Sequence, residues 1–250
     1  MSPAEMRVLW LYPDHMNIYA DRGNLAILDR RCAWRGIGFS VTGAGPGDRI
    51  DPEAHDLLYI GGGQDRDQAL VARDLVETKR EAISAALDGG AAMLAVCGGY
   101  QLLGEFYELE DGERLPGLEL IDLRTVREPG ARLIGNVVIE SDFGGGPEQI
   151  AGFENHGGRT YLGEEETPLG RVVSGFGNNG GDGFEGVRRG HLVGTYLHGP
   201  LLPKNSGLAD RLIGWALERR AQGTSQLDPL DDRLEDAAHD SAVRAAFSRR

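Results

Sequence analysis

Residues 94–104 have the sequence LAVCGGYQLLG, which carries the strongest structural signal in the chain. An apolar run that begins at Ala91 stops at Cys97, two glycines follow, and helical spacing begins at Tyr100. This order predicts a buried strand, a tight turn that holds the cysteine, and a helix. A thiol at a helix N-terminus lies at the positive end of the helix dipole, which favours the nucleophilic thiolate. The alternative is a small, inert cysteine buried at the end of a strand.

Strand and helix patterns alternate in the first half of the chain. The predicted strands are residues 6–12, 39–42, 57–60 and 91–96, and the predicted helices are residues 24–34 and 74–87. This alternation predicts an α/β fold with a doubly wound, mostly parallel sheet. Ligands of such sheets bind at the carboxyl ends of the strands, where Cys97 and the glycine run of residues 61–63 fall.

The second half of the chain has a different pattern. Glycine becomes frequent after Asp111, and helical periodicity fades. Strands are predicted over residues 132–140 and 191–197, and the glycine- and asparagine-rich residues 175–183 predict a hairpin. We expect these strands to be added to the same sheet rather than to form a second domain.

The C-terminal part of the chain combines a helix with a polar tail. A helix is predicted over residues 207–220, with Asn205 and Ser206 as its N-terminal cap. We expect residues 1–220 to form one domain. Residues 221–250 are expected to be a polar tail or helix, with a helical pattern over residues 234–247, and they are a candidate for docking a partner.

Composition limits the possible functions. The 250 residues carry a formal net charge of −13 and are 40% hydrophobic, which fits a packed core and argues against a nucleic-acid surface. The two cysteines lie in different predicted elements, so we expect no disulfide, a reducing cytoplasmic environment, and a core position for Cys32 beside Leu25 and Leu28. We also expect no secretory leader, no bilayer-spanning segment and no metal site.

A histidine joins the cysteine at the predicted edge of the sheet. His198 follows the last predicted strand, and beside Cys97 its imidazole would hold the thiol deprotonated and then protonate a leaving amine. The backbone N–H groups of Gly62 or Gly63, together with that of Gly98, would stabilise a tetrahedral oxyanion. The alternative for His198 is a hydrogen-bonded polar residue with no chemical role.

Four motifs follow one another along the chain. They are GGGQD (residues 61–65), AVCGGYQLLG (95–104), GFENHGG (152–158) and GTYLHGP (194–200). In this order they resemble the motifs of class I glutamine amidotransferases of the cobyric acid synthase type. The segments YPDHMNIYADRGN (12–24) and RLIGN (132–136) are most similar to the glutaminase subunits of lipid II isoglutaminyl synthases. The resemblance covers roughly residues 6–220 and implies a flavodoxin-like fold.

The resemblance implies a mechanism and a partner. Cys97 would attack the side-chain amide of L-glutamine to form a γ-glutamyl thioester that water hydrolyses, with His198 as general base and acid. The ammonia would pass, within a heterodimer, to a Mur-ligase-like (MurT-like) synthetase that amidates the D-glutamate of lipid II to D-isoglutamine. ATP and Mg²⁺ are expected on that partner, and membrane contact only through lipid II. The alternatives are a subunit for another synthetase, such as a cobyrinate-type enzyme, and a non-catalytic scaffold.

The resemblance also implies which residues bind the substrate. The matching arginine of the family is Arg132, and a guanidinium suits a carboxylate because the two form parallel hydrogen bonds. The other expected substrate-binding residues are Gly62, Gly63, Gln64, Gly98 and Gln101. The alternatives are a solvated charge at the end of a strand for Arg132 and ordinary surface positions for the two glutamines.

The chain departs from the family at one position. Common members carry a glutamate two residues after the histidine, whereas this chain has Pro200 there, and proline cannot orient His198. We therefore hypothesise that an acidic residue of the partner orients this histidine. Glu154 is the alternative within the chain.

The motifs contain four further polar residues. We expect His156 to be a structural hydrogen-bonding residue, and a place along the ammonia path is the alternative. Asp21, Arg22 and Asn24 are expected to fix a loop near the site.

Overall fold

The computed structural model of the protein describes residues 4–18, 21–220 and 227–248. The strands are β1 (Glu5–Leu11), β2 (Gly38–Ala44), β3 (Leu57–Ile60), β4 (Ala92–Val96), β5 (Phe106–Glu108), β6 (Arg114–Pro116), β7 (Leu123–Arg127), β8 (Leu133–Asp142), β9 (Pro147–His156), β10 (Gly158–Leu162), β11 (Gly170–Ser174), β12 (Phe184–Glu185), β13 (Val187–Arg189) and β14 (Leu192–Thr195). The helices are α1 (Arg22–Trp34), α2 (Asp65–Asp74), α3 (Arg80–Asp88), α4 (Gly98–Gln101), α5 (Ser206–Glu218) and α6 (Arg233–Phe247).

A six-stranded sheet in the order β13-β14-β4-β3-β1-β2 forms the centre of the fold. Every pairing in it is parallel except that of β13 with β14, which confirms the predicted α/β class. The strands β3, β4 and β14 are buried along their whole length. Their continuous apolar sequences fit this position, because central parallel strands are covered on both faces.

The second half of the chain does not extend this sheet as predicted. Only β13 and β14 join it, and the other strands form two four-stranded sheets, β10-β7-β5-β6 and β12-β11-β8-β9. The ten-residue strands β8 and β9 pair with each other in antiparallel register from Leu133 opposite His156 to Asp142 opposite Pro147. β8 also pairs with β11, so both of its edges are hydrogen-bonded outside the central sheet. The hairpin predicted around residues 175–183 is confirmed, since β11 and β12 pair on either side of that segment.

One predicted helix start and one predicted helix cap are wrong. The helix expected to begin at residue 74 begins at Asp65, and a π-helical turn (Leu75–Lys79) joins α2 to α3. Asn205 precedes α5, but its side chain does not cap the helix. Its amide group instead donates to the carbonyl oxygens of Ala151 and Leu201 and accepts from the Ala151 N–H, which ties the start of α5 to β9.

The C-terminal helix α6 packs against the body of the protein. Its Ala246 is buried against Val138 and Ala151 on β8 and β9. The Asn136 amide donates to the Ala245 carbonyl at 3.3 Å, and the Ser174 hydroxyl donates to the Ala246 carbonyl at 3.0 Å. Within the expected tail, residues 221–226 and 249–250 lie outside the described residues. In the described ranges, no helix has the length and apolar character to cross a membrane.

Candidate active site

The candidate active site lies where three neighbouring strands of the central sheet end. The register pairs Thr195 of β14 with Val96 of β4, and Ile60 of β3 with Ala95. The Cys97 N–H donates to the Thr195 carbonyl at 2.8 Å, so the cysteine leaves its strand beside the segment that leads to His198. This edge also carries the glycine run of residues 61–63, as predicted from the parallel order.

Cys97 has an unusual backbone conformation. Its φ of 51° and ψ of −106° lie in a region that non-glycine residues rarely adopt. Such a conformation costs on the order of 1–3 kcal/mol, and a sharp strand-to-helix turn of this kind displays nucleophiles in other α/β enzymes. The next glycines allow close approach, because the Gly99 N–H donates to the Gly61 carbonyl at 3.1 Å.

The Cys97 thiol is nearly enclosed, with 5% of the residue exposed. Burial, and after it the negative charge of Asp21, raise its pKa from 9.0 to about 12, although Arg132 and a backbone hydrogen bond from Gly98 act in the opposite direction. The prediction that the helix N-terminus favours thiolate is therefore wrong for the chain in this state. The helix α4 is a single turn, and its small dipole does not offset the loss of solvation.

His198 is held in place through its backbone. It exchanges two hydrogen bonds with Phe153, of 3.0 and 3.1 Å, and its ring lies edge-on to the phenyl ring at 6.2 Å. Burial, and after it electrostatic interactions with His156, Lys204 and Arg132, lower the pKa of His198 to about 3. The imidazole is therefore neutral at pH 7, which is the form that accepts a proton.

The carboxylate of Glu154 makes hydrogen bonds with two backbone N–H groups and lies near the ring of His156. It accepts hydrogen bonds from the N–H groups of Phe176 and Gly177, at 2.7 and 2.9 Å, and lies 3.8 Å from Nε2 of His156. The His156 ring stacks on Tyr196 with 3.6 Å between ring centres. These contacts support a structural role for His156. Glu154 lies beside His156 and binds the backbone of residues 176 and 177.

Arg132 lies just before β8, with its side chain exposed. Its Nε donates to the side-chain oxygen of Asn155 at 2.8 Å, and its Nη2 donates to the Asn155 carbonyl at 2.7 Å. Its positive charge lowers the pKa of both Cys97 and His198. The structure therefore brings Arg132 within electrostatic range of both candidate catalytic residues, while its contact with substrate stays a prediction.

The two glutamines predicted as substrate contacts occupy different environments. Gln64 is exposed at the start of α2. Gln101 is buried, and its side-chain amide accepts from Gln68 at 2.8 Å and donates to the Tyr196 hydroxyl at 3.1 Å. Gln101 thus belongs to a polar network inside the protein, and substrate binding by either glutamine stays a prediction.

The loop that follows β1 covers the glycine run. The Gly62 N–H donates to Oδ2 of Asp21 at 2.7 Å, and the Gly62 carbonyl accepts from the Ile18 N–H at 3.2 Å. A Cβ atom built on Gly63 would lie 2.4 Å from the Met16 sulfur, so any other residue there would require the buried Met16 side chain to move. The Asn24 amide donates to the Tyr59 hydroxyl on β3 at 3.1 Å, so Asp21 and Asn24 help to fix this loop as expected. The role expected for the Arg22 side chain stays a prediction.

Sequence reasoning missed two polar contacts of this site. It assigned no partner to Asp21, although an acidic residue in the motif with Arg22 and Asn24 was a usable signal. It did not single out Gln68, which lies on a polar helix without a distinguishing pattern. Among the described residues, no three His, Cys, Asp or Glu side chains come close enough together to hold a metal ion.

A doubly wound sheet whose central strands end in a glycine run, a strained cysteine and a buried histidine defines an α/β enzyme with its site at the carboxyl edge. Residues 7–206 match the CobB/CobQ-like glutamine amidotransferase domain, and the chain belongs to that family. It is accordingly a glutamine amidotransferase.

Two curated relatives and one solved structure illustrate the similarity. The lipid II isoglutaminyl synthase subunit GatD of Staphylococcus aureus is 42% identical over 86% of this chain and 86% of its own length. The GatD subunit of Streptococcus pneumoniae is 37% identical over 93% of this chain and 88% of its own. The PurLQS structure from Thermotoga maritima has a TM-score of 0.52 at 19% identity, covering 88% of this chain and 97% of that chain, which shows the shared fold.

Proposed function

We propose that this chain is the glutaminase subunit of a lipid II isoglutaminyl synthase. The proposal rests on two relatives with that name, which match at 42% and 37% identity over 86% and 88% of their own lengths. In this proposal the chain hydrolyses L-glutamine to glutamate and ammonia. The ammonia passes to a MurT-like synthetase that converts the D-glutamate of the peptidoglycan stem peptide to D-isoglutamine.

The proposed reaction begins when Sγ of Cys97 bonds to the side-chain amide carbon of glutamine and its proton passes to His198. The resulting oxyanion accepts hydrogen bonds from the N–H groups of Gly98 and of Gly62 or Gly63. When the C–N bond breaks, His198 returns the proton to the leaving nitrogen, which departs as ammonia. Water then adds to the thioester carbon, gives a proton back through His198 to the sulfur, and releases glutamate.

Forming a thiolate and an imidazolium is unfavourable in the chain alone. Burial raises the pKa of Cys97 to about 12 and lowers that of His198 to about 3. A carboxylate placed beside an imidazole raises its pKa and orients its ring. We therefore propose that the synthetase subunit supplies this acid, because Pro200 occupies the position where common relatives carry glutamate.

The α-carboxylate of the substrate is assigned to Arg132. The guanidinium is exposed, and its charge acts on both Cys97 and His198. Asn155 holds two of its nitrogens, which orients the side chain before the substrate arrives. A bidentate pair with the substrate carboxylate would set the distance between the α-carbon and the thiol.

The partner supplies the remaining chemistry in this proposal. ATP and Mg²⁺ belong to the synthetase subunit of the heterodimer, and lipid II provides the only link to the membrane. The cytoplasm suits this arrangement, because a free thiol such as Cys97 stays reduced there.

Release of glutamate from glutamine tests the proposal. The chain is assayed alone and with a MurT-like synthetase, as wild type, as Cys97→Ser, and as Cys32→Ala, which removes the other thiol, buried against Met6. We expect activity only in the complex, its loss in Cys97→Ser, and its retention in Cys32→Ala. Equal activity in the isolated chain would refute the proposal that the partner supplies the acid that orients His198. Stimulation by a cobyrinate-type synthetase alone would instead assign the chain to a different amidation.

A further inference from the structure

The carboxyl group of Asp21 is buried beside the candidate nucleophile and has no part in the mechanism above. The residue has 0% exposure, and its Oδ2 accepts the Gly62 N–H at 2.7 Å. Its Oδ1 is also buried, and no donor from the described part of the chain reaches it. A buried carboxylate with one unused oxygen is costly, which calls for a reason beyond the folding of the loop.

Asp21 and Cys97 lie on either side of the same glycine. A Cβ atom built on Gly62 would lie 3.2 Å from Oδ2 of Asp21 and 3.3 Å from Cβ of Cys97. The negative charge of Asp21 raises the pKa of Cys97 and so favours the thiol over the thiolate. The two groups are therefore close enough for the charge of one to control the ionisation of the other.

The mechanism above takes the N–H of Gly62 or that of Gly63 as the second donor to the oxyanion, beside that of Gly98. A carboxylate oxygen resembles that oxyanion, since both are negatively charged oxygen acceptors of a backbone N–H. A donor stabilises a transition state only when it is directed at the developing charge. Because Oδ2 of Asp21 accepts the Gly62 N–H, the amide oxygen of glutamine must displace this carboxylate before it can accept the same hydrogen bond.

We propose that Asp21 is a positioning residue that blocks the Gly62 oxyanion donor and keeps Cys97 in the thiol form until the substrate carbonyl replaces its carboxylate. The inference rests on the proposed function in taking Gly62 as an oxyanion donor. The effect of Asp21 on the Cys97 thiol does not depend on that function, because it follows from the positions of the two residues.

The surroundings of Asp21 make the contact reversible near neutral pH. Burial raises the pKa of Asp21 to about 7, and only the hydrogen bond from Gly62 opposes that rise. Among the described residues, the titratable groups that face Asp21 are the Tyr59 hydroxyl, which donates to its backbone carbonyl at 2.9 Å, and the Cys97 thiol. Protonation of the carboxyl removes its charge and weakens its hold on the Gly62 N–H.

Alkylation of Cys97 by iodoacetamide tests the effect on the thiol. The rate is followed by mass spectrometry of the Cys97 peptide between pH 6 and 10 in wild type, Asp21→Asn and Asp14→Asn. The control removes the same charge from an exposed position of the same loop. We expect Asp21→Asn to react at least about fivefold faster at pH 8 through a lower apparent pKa of the thiol, and Asp14→Asn to match wild type. Equal rates in both variants, or an acceleration of the same size at every pH, would overturn the inference.

The wild-type protein provides a second measurement that needs no variant to fold. The amide proton of Gly62, followed by ¹H–¹⁵N NMR, should move downfield as the pH rises through 7 and Asp21 becomes charged. A Gly62 signal that stays constant between pH 5.5 and 8.5 would overturn the inference. Neither measurement uses glutamine or a partner, so its failure is distinct from failure of the proposed glutaminase function.

Discussion

The Arg31 side chain connects three helices in the interior of the protein. It is fully buried on α1, and it donates two hydrogen bonds to Asp210 on α5, at 2.5 and 2.7 Å. It donates two more, of 2.7 and 2.8 Å, to Asp232, which immediately precedes α6. Arg31→Met keeps much of the side-chain length but removes the cation that these two carboxylates share.

The expected loss of stability follows from the burial of the two acids. Removing one member of a buried ion pair costs about 3–5 kcal/mol when its partner is left uncompensated. The side chains of Asp210 and Asp232 are 26% and 24% exposed, and Arg35 still binds Asp210 at 2.7 Å. Water and Arg35 thus compensate part of the charge, so we expect about 3 kcal/mol. For a chain of this size, that corresponds to a fall in Tm of about 6–12 °C.

Urea unfolding at pH 7 measures this change. Arg233→Met is the matched control, because its partner Asp231 precedes Asp232 but the side chains of that pair are 89% and 63% exposed. We expect no measurable change in the control, since exposed ion pairs contribute little. If Arg31→Met and Arg233→Met unfold at the same urea concentration, the buried network does not stabilise the attachment of α6, and the reasoning is refuted.

Three further predictions concern the site. Iodoacetamide should alkylate Cys97 at pH 7 about 1,000-fold more slowly in the folded chain than in urea, because burial raises its pKa from 9.0 to about 12; a difference below tenfold would contradict this. Between pH 6.5 and 3 the folded chain should lose stability, since unfolded His198 takes up a proton near 6.5 and folded His198 only near 3. The free energy of unfolding of His198→Gln should fall less steeply there, and an unchanged slope would count against the lowered pKa. Gly99→Ala should destabilise the chain and lower glutaminase activity, because the new Cβ would lie 2.7 Å from Cγ2 of Ile60. Gly135→Ala is the control, because a Cβ atom built there has no other atom within 4 Å. Similar melting temperatures of the two variants would argue against the close contact at Gly99.

The parts of the fold with a strong local signal were predictable. The strands β3 and β4 are continuous apolar runs, and their alternation with helices indicated a parallel sheet. Parallel strands end at a common edge, so the placement of Cys97 and the glycine run of residues 61–63 at that edge followed from the pattern alone. The pairing of Cys97 with His198 stays a prediction. The same reasoning predicted that Cys32 is buried, because it lies on the helix face that carries Leu25 and Leu28.

The arrangement of the second half was not predictable from local pattern. The apolar and β-branched residues of β8 indicate an extended strand, but its sequence does not identify the strand with which it pairs. Its ten-residue register with β9 removed both strands from the central sheet. The attachment of α6 depends likewise on Arg31 meeting Asp232, two residues far apart in the chain.

The ionisation of the site depends on the tertiary structure for the same reason. Spacing placed a cysteine before a helix and so suggested a thiolate, whereas the folded chain buries that thiol beside Asp21 and keeps it protonated. The pKa of His198 is lowered first by burial and then by its interactions with His156, Lys204 and Arg132, which come from separate segments. The sequence indicates which groups reach the edge of the sheet. The pKa values of these groups depend on how much water and which charged side chains surround them, and only folding brings those neighbours together.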